Sequence, residues 1–157
     1  MKQQKTLLII GAGFEQVPAI KMAKEMGHKV VVTDLNPHAV GVQFADDFGL
    51  VSTNDKQGNL IFAQQQKIDG VMTLGSELAV PVVAFVSEQL NLPGLSSETA
   101  LKATNKNVMH EAFIDAGVPT PHSNKVNQLS ELQDFVESNG WPVVVKPSDS
   151  SGQRGIG

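Results

Sequence analysis

The sequence predicts an α/β fold in which a parallel sheet with helices on both faces occupies residues 1–95, and a different, α+β unit begins at residue 96. Three observations carry this reading. Apolar runs at 7–10 (Leu-Leu-Ile-Ile) and 29–33 (Lys-Val-Val-Val-Thr) are continuous, as strands buried on both faces are. Between them Val17, Ile20 and Ala23 recur at helical spacing, which makes a β-α-β unit of about thirty residues. The stretch 92–96 (Leu-Pro-Gly-Leu-Ser) then interrupts the alternation and marks a boundary.

Taken in order, the first strand runs into a tight glycine turn, Gly11-Ala12-Gly13, and the helix after it is expected to end at Gly27, placed for a C-cap. The second strand ends at Asp34, and Asn36-Pro37 opens a loop. A weaker strand follows over 48–52, then a polar helix over 59–67 that directs Leu60, Ile61 and Phe62 or Ala63 inward. Residues 69–73 are the next strand. The helix expected over 77–90 buries Val80, Val83, Ala84 and Val86 or Leu90, and tolerates Pro81 in its first turn.

In the second unit helices are expected over 97–103 and 105–116, the latter with Val108, Ala112 and Phe113 inward and stopped by Gly117 and Pro119. A strand at 122–126, a helix with Leu129, Leu132, Phe135 and Val136 inward that ends at Gly140, and a strand at 143–146 complete the pattern. That sheet is expected to be antiparallel, because a tight loop rather than a crossover helix follows Lys146. The chain stops inside or just after this loop and therefore reads as a piece of a longer protein.

Composition narrows the function classes. With 41% hydrophobic and 18% charged residues, 157 residues can bury a core. A net charge of -4 offers no basic face, so no nucleic-acid partner is expected. The absence of cysteine removes disulfides, thiolate metal sites and cysteine nucleophiles, and fits the cytoplasm. The N-terminal apolar run is four residues long, far short of a signal-peptide core or a spanning helix, so no membrane is expected either. His28, His38, His110 and His122 show no metal-ligand spacing.

Gly11-x-Gly13 after a strand, with Asp34 some twenty residues on, invites a dinucleotide-binding reading. It fails at one position, since the third fingerprint glycine should be residue 16 and is Gln16. Asp34 is then read as a cap for the Asn36-Pro37 turn.

The end of the chain carries a second pattern. Val143, Val144 and Val145 deliver Lys146 to a strand end, and Ser148, Ser150, Ser151, Gly152, Gly155 and Gly157 form a loop whose N–H groups can approach an anion without Cβ obstruction. A hairpin with a Ser/Gly turn and an exposed lysine fits the same residues. Upstream, Asn105-Lys106-Asn107 opens a helix that 117–121 (Gly-Val-Pro-Thr-Pro) closes, and Lys146 lies about forty residues after Lys106.

In this order and spacing the motifs resemble the ATP-grasp superfamily, and within it the group of carbamoyl-phosphate synthase large subunit, biotin carboxylase and formate-dependent phosphoribosylglycinamide formyltransferase. The resemblance covers the whole chain. It implies that residues 1–95 are a Rossmann-like pre-ATP-grasp domain and residues 96–157 the start of the ATP-grasp domain, truncated at the glycine-rich loop. It also implies an ATP-dependent carboxylate–amine ligase acting through an acyl phosphate, with small-molecule acid and amine substrates, room for a homodimer, and ATP and Mg²⁺ as cofactors. The fragment by itself is expected to be inactive. The class-level alternative is a non-catalytic nucleotide or dinucleotide (NAD-type) binding module.

By the same resemblance Lys106 and Lys146 match the two nucleotide-phosphate cations, and Ser150, Ser151, Gly152 and Gly155 the loop over the β- and γ-phosphates. Gly13, Glu15 and Glu77 match segments lining the acceptor-substrate site. Bland readings stand beside these: Lys106 as a solvated first-turn lysine, and Glu15 and Glu77 as helix first-turn acids that favour the dipole. The Mg²⁺ and adenine ligands of the superfamily come from later strands that this sequence does not contain, so no metal ligand is expected within it.

Overall fold

The computed structural model describes residues 4–148, and contacts divide the chain into two compact units, Met1–Ala100 and Leu101–Gly157. In the first unit four strands, β1 (Thr6–Ile10), β2 (Lys29–Asp34), β3 (Asp47–Leu50) and β4 (Gly70–Met72), pair in parallel in the order β3-β2-β1-β4. Leu8 stands opposite Val31 and Val71. From Leu8 to Ile10 and from Val30 to Val32 every side chain is fully buried, because successive residues face opposite layers and both layers are covered. On one face Leu8, Ile10 and Val31 meet Phe62 and Ala63 of α2 (Lys56–Gln66) and Val82 and Val86 of α3 (Val80–Gln89). On the other, Ile9, Val30 and Val32 meet Ile20 and Ala23 of α1 (Val17–Glu25).

The chain moves outward from β1 through β2 to β3, then returns to place β4 on the other side of β1. Strand order therefore reverses between β1 and β4, and the loops leaving their C-terminal ends part to form a crevice.

Gly27 closes α1 as expected. Its N–H bonds to Lys24 O at 2.9 Å and the next, from His28, to Ala23 O at 3.1 Å, with Gly27 at φ 85°; this is the paired closure that a left-handed residue permits. The same pair of bonds ends α2 and α3, with Lys67 (φ 50°) and Asn91 (φ 52°) in the left-handed position.

Two helix faces differ from the sequence expectation. The polar helix starts at Lys56, not 59, because Asp55 caps it by accepting the Gly58 N–H at 2.9 Å. It buries Asn59, Phe62 and Ala63 and leaves Ile61 52% exposed. The next helix buries Val82, Ala84, Val86 and Ser87 rather than Val80 and Val83, after a short 3₁₀ turn at Glu77–Ala79. Its sequence is apolar almost all round, so spacing alone does not choose the inner face.

Helix α4 (Ser97–Thr104) runs across the division between the units, and the second unit contains α5 (Lys106–Asp115) and α6 (Leu129–Asn139). None of its described residues is buried. The segments 122–126 and 143–146 are not strands here: among the described residues no neighbour completes a ladder with either. A strand is defined by its partner, and a β-branched run without one leaves Val144 68% exposed. No helix among the described residues is long and apolar enough to cross a membrane.

Candidate functional site

The crevice at the strand-order reversal is a cavity of about 400 Å³. Glu15 and Gln16 enter it from the turn after β1, Asp34 and Leu35 from the end of β2, and Gly75 and Ser76 from the loop after β4. Gly13 and Glu15, expected from the sequence at an acceptor-substrate site, are thus both in its lining. Glu77 opens the 3₁₀ turn next to Ser76 and is exposed, but it is not itself among the lining residues. Gly75 has φ 69° and lies so close to Glu15 that an added Cβ would collide with the Glu15 carboxylate and stand 2.9 Å from its Cβ. A glycine is needed there on both counts.

The glycine turn is closed on itself. Gly11 N–H bonds to Thr33 O at 2.8 Å, Ala12 N–H to Asp34 Oδ2 at 2.9 Å, and Gly13 N–H to Gln16 Oε1 at 2.9 Å. Gln16 is 6% exposed and donates its side-chain amide to the Leu74 carbonyl, so one residue joins the loops after β1 and β4. Asp34 also accepts the Asn36 N–H at 2.9 Å, as a turn cap does. Sequence reasoning treated Gln16 as a missing glycine; its bridging role was not foreseen, because the fingerprint is read for the absence of a side chain. Residue 16, which a dinucleotide fingerprint leaves bare, carries a side chain bonded at both ends, and Asp34 already holds two backbone amides.

The second unit has its own cavity of about 490 Å³. Lys106 and Lys146, forty residues apart, both line it, together with His110, Phe135 and Val145. Lys106 is the first residue of α5, and the N-terminus of that helix is fully bonded within the unit. Its Lys106 N–H reaches Ser148 O at 2.9 Å, and Asn105 Oδ1 accepts from Asn107 at 3.1 Å and Val108 at 3.2 Å. An anion in this cavity would therefore be met by lysine side chains and not by helix-end amides. His110 Nδ1 and Thr120 Oγ1 lie 3.0 Å apart. Ser150, Ser151, Gly152 and Gly155 lie outside the described residues. Among the described residues no group of three or more His, Asp or Glu could hold a metal ion.

Comparison with known proteins gives one family match and a set of relatives. The family described as alanine dehydrogenase/PNT, C-terminal domain, matches residues 2–77, just under half of the chain. The formate-dependent phosphoribosylglycinamide formyltransferase of Prochlorococcus marinus (strain MIT 9313) is 27% identical over 152 residues, which cover 96% of this chain and 39% of that protein. An L-amino acid ligase from Bacillus licheniformis superposes with a TM-score of 0.75 at 29% identity, over 96% of this chain and 39% of that one. N5-carboxyaminoimidazole synthetase from Staphylococcus aureus, solved with ADP, superposes with a TM-score of 0.83 over 99% of this chain and 41% of that one; at 21% identity this is a likeness of fold. The chain thus spans about two fifths of the length of these relatives. Over nearly its whole length, it is similar to the N-terminal portion of the ATP-grasp ligases.

Proposed function

We propose that this chain is the N-terminal part of an ATP-dependent carboxylate–amine ligase, with carbamoyl-phosphate-synthase-like chemistry, acting in the cytoplasm. In this reading residues 1–95 are the pre-ATP-grasp domain, which holds an acceptor substrate near Gly13, Glu15 and Glu77. Residues 96–157 begin the ATP-grasp domain, in which Lys106 and Lys146 neutralise nucleotide phosphates and Ser150, Ser151, Gly152 and Gly155 cover them. Bound ATP supplies a phosphoryl group to the carboxylate, making an acyl phosphate that the amine attacks with loss of phosphate. The lysines contribute charge neutralisation and positioning, which phosphoryl transfer needs more than covalent help. Mg²⁺ belongs to the proposal as a cofactor, but no described residue cluster fits it, so no step is assigned to it here.

One observation carries the proposal: two lysines forty residues apart line one cavity whose remaining wall includes apolar side chains suited to a nucleotide. The dinucleotide alternative is disfavoured by Gln16, which stands where the fingerprint has its third glycine and takes the Gly13 N–H at the turn that a pyrophosphate would approach. Calorimetric titration of Mg-ATP into this chain and into the longer protein, each with and without Lys146→Ala, tests the reading. Weak or absent binding by the chain alone and loss of binding in the longer protein's Lys146→Ala variant are expected. Unchanged binding in that variant would remove the central residue.

A further inference from the structure

We propose that His110, held by Thr120 in the cavity of the second unit, is a proton-controlled phosphate-binding group, through which this site takes a polyphosphate more tightly as the pH falls. This rests on the reading above that Lys106 and Lys146 mark the nucleotide-phosphate site, and it adds a residue and a pH dependence to that site.

The charge of the cavity is the first observation. The whole chain carries 16 Asp and Glu against 12 Lys and Arg, yet no Asp or Glu is among the described residues lining this cavity, whereas Lys106, His110, His122 and Lys146 all are. With no carboxylate beside them to neutralise their charge, these groups complement a multiply charged anion. The first three amides of α5 are already bonded to Ser148 O and Asn105 Oδ1, so side-chain charge has to do the binding.

The placement of His110 is the second. It stands one turn after Lys106 on α5 and so shares that residue's side of the helix. The chain then turns back at Gly117 (φ 67°), where Val118 N–H bonds to Phe113 O at 2.9 Å, and Thr120 comes to lie with its Oγ1 3.0 Å from His110 Nδ1. A hydroxyl can donate to a bare Nδ1 or accept from a protonated one, so this tether survives protonation of the ring. Nε2 is the nitrogen left to donate to a ligand, and once the ring is charged that bond is charge-assisted.

Histidine is the side chain whose charge changes between about pH 5 and 8. The charged and titratable groups facing His110 are Lys106 on its own helix, His122 on the segment after α5, and Lys146 beyond Val145; α6 contributes Leu132, Phe135 and Asn139, none of them charged. An anion held among the lysines favours the imidazolium, and by linkage the imidazolium favours the anion to the same extent. Affinity therefore rises as the pH falls through the histidine range. Deprotonation at higher pH withdraws one positive charge and leaves those of the lysines.

The test follows the His110 and His28 ring resonances of the ¹⁵N-labelled chain from about pH 5.5 to 8.5, with and without millimolar trimetaphosphate, whose own charge is constant over that range. The His110 midpoint is expected to rise by about half a pH unit, which corresponds to about threefold tighter binding at the acid end, while that of His28, in the other unit, stays in place. His110→Gln is expected to abolish the pH dependence of the affinity read from the Lys106 and Asn107 amides. The wild-type midpoint is read without any substitution, so a variant that fails to fold leaves the test standing. Binding with an unmoved His110 midpoint, or with the same pH dependence in His110→Gln, would overturn the role of His110 while leaving the lysine site. No change at any cavity amide would overturn the proposal altogether, and the Mg-ATP titration of the longer protein decides the nucleotide reading separately.

Discussion

Asp34 Oδ2 accepts the Ala12 amide at 2.9 Å, binding the end of β2 into the turn after β1. The same carboxylate receives Asn36 N–H through its other oxygen. Asp34→Ala removes two acceptors from amides that then have only water, and is expected to cost about 1.5 to 3 kcal/mol in urea unfolding. Asp34→Asn keeps one oxygen acceptor and is expected to cost less. Equal stability of wild type and Asp34→Ala would contradict the role given to this residue.

Gln16→Gly restores the third glycine of the dinucleotide fingerprint and so separates two readings. The structure makes Gln16 a strut between Gly13 N–H and Leu74 O. The variant is therefore expected to lose about 1 to 2 kcal/mol of stability and to gain no NADH affinity, as followed by nucleotide fluorescence. A stable variant that binds NADH would revive the dinucleotide reading.

Thr33 and Asn59, both fully buried, form a closed network: Thr33 Oγ1 donates to Asn59 Oδ1 at 2.7 Å, and Asn59 Nδ2 donates to Ser52 O at 2.8 Å and Asp55 O at 2.7 Å. Thr33→Val preserves shape but strands the Asn59 oxygen. A loss of about 1 to 3 kcal/mol is expected by thermal or urea unfolding, and Asn59→Leu, which takes the acceptor from the Thr33 hydroxyl and one of two donors from each of the Ser52 and Asp55 carbonyls, is expected to lose more.

Asp46 provides a pH test. Hydrogen bonding from Lys24, helped by the Val30 amide at 2.7 Å, holds its carboxyl below the ordinary carboxylate value. A group whose folded value is depressed contributes its stability above the unfolded value, about pH 4, and loses it as the pH falls through the folded one. Stability of the wild type is thus expected to fall below about pH 4 more steeply than that of Asp46→Asn, with the two curves offset by about 1 kcal/mol at neutral pH. Parallel acid limbs would contradict the assignment.

The centre of the sheet was legible because β1 and β2 are short, continuous, β-branched or aliphatic runs bounded by glycine turns and loops, as doubly covered strands are; both fall within one residue of their expected bounds. Asn59 could not be read as a core residue, since an inward polar side chain depends on the carbonyls of Ser52 and Asp55 that meet it in three dimensions. Glu15 and Asp34 meet at one crevice because strand-order reversal fixes where loops part, whereas the sequence showed Asp34 only as a turn cap. The contribution of Gln16 was not legible, since it arises from a carbonyl fifty-eight residues away. In the second unit the helices announced themselves through Asn105, Gly117 and Gly140, whereas the strands at 122–126 and 143–146 depend on neighbours that the described residues do not supply.

The order β3-β2-β1-β4 leaves two strands with one unpaired side each among the described residues. They are the two shortest, four residues in β3 and three in β4. β3 opens with Asp47, whose carboxylate accepts the Gln66 side-chain amide at 2.6 Å, and carries Gly49 where a side chain would strike the Phe62 ring. Such margins offer an incoming strand few amides, a charge at the first rung and no side chain to pack at the third, so this sheet is a poor template for templated self-association at high concentration.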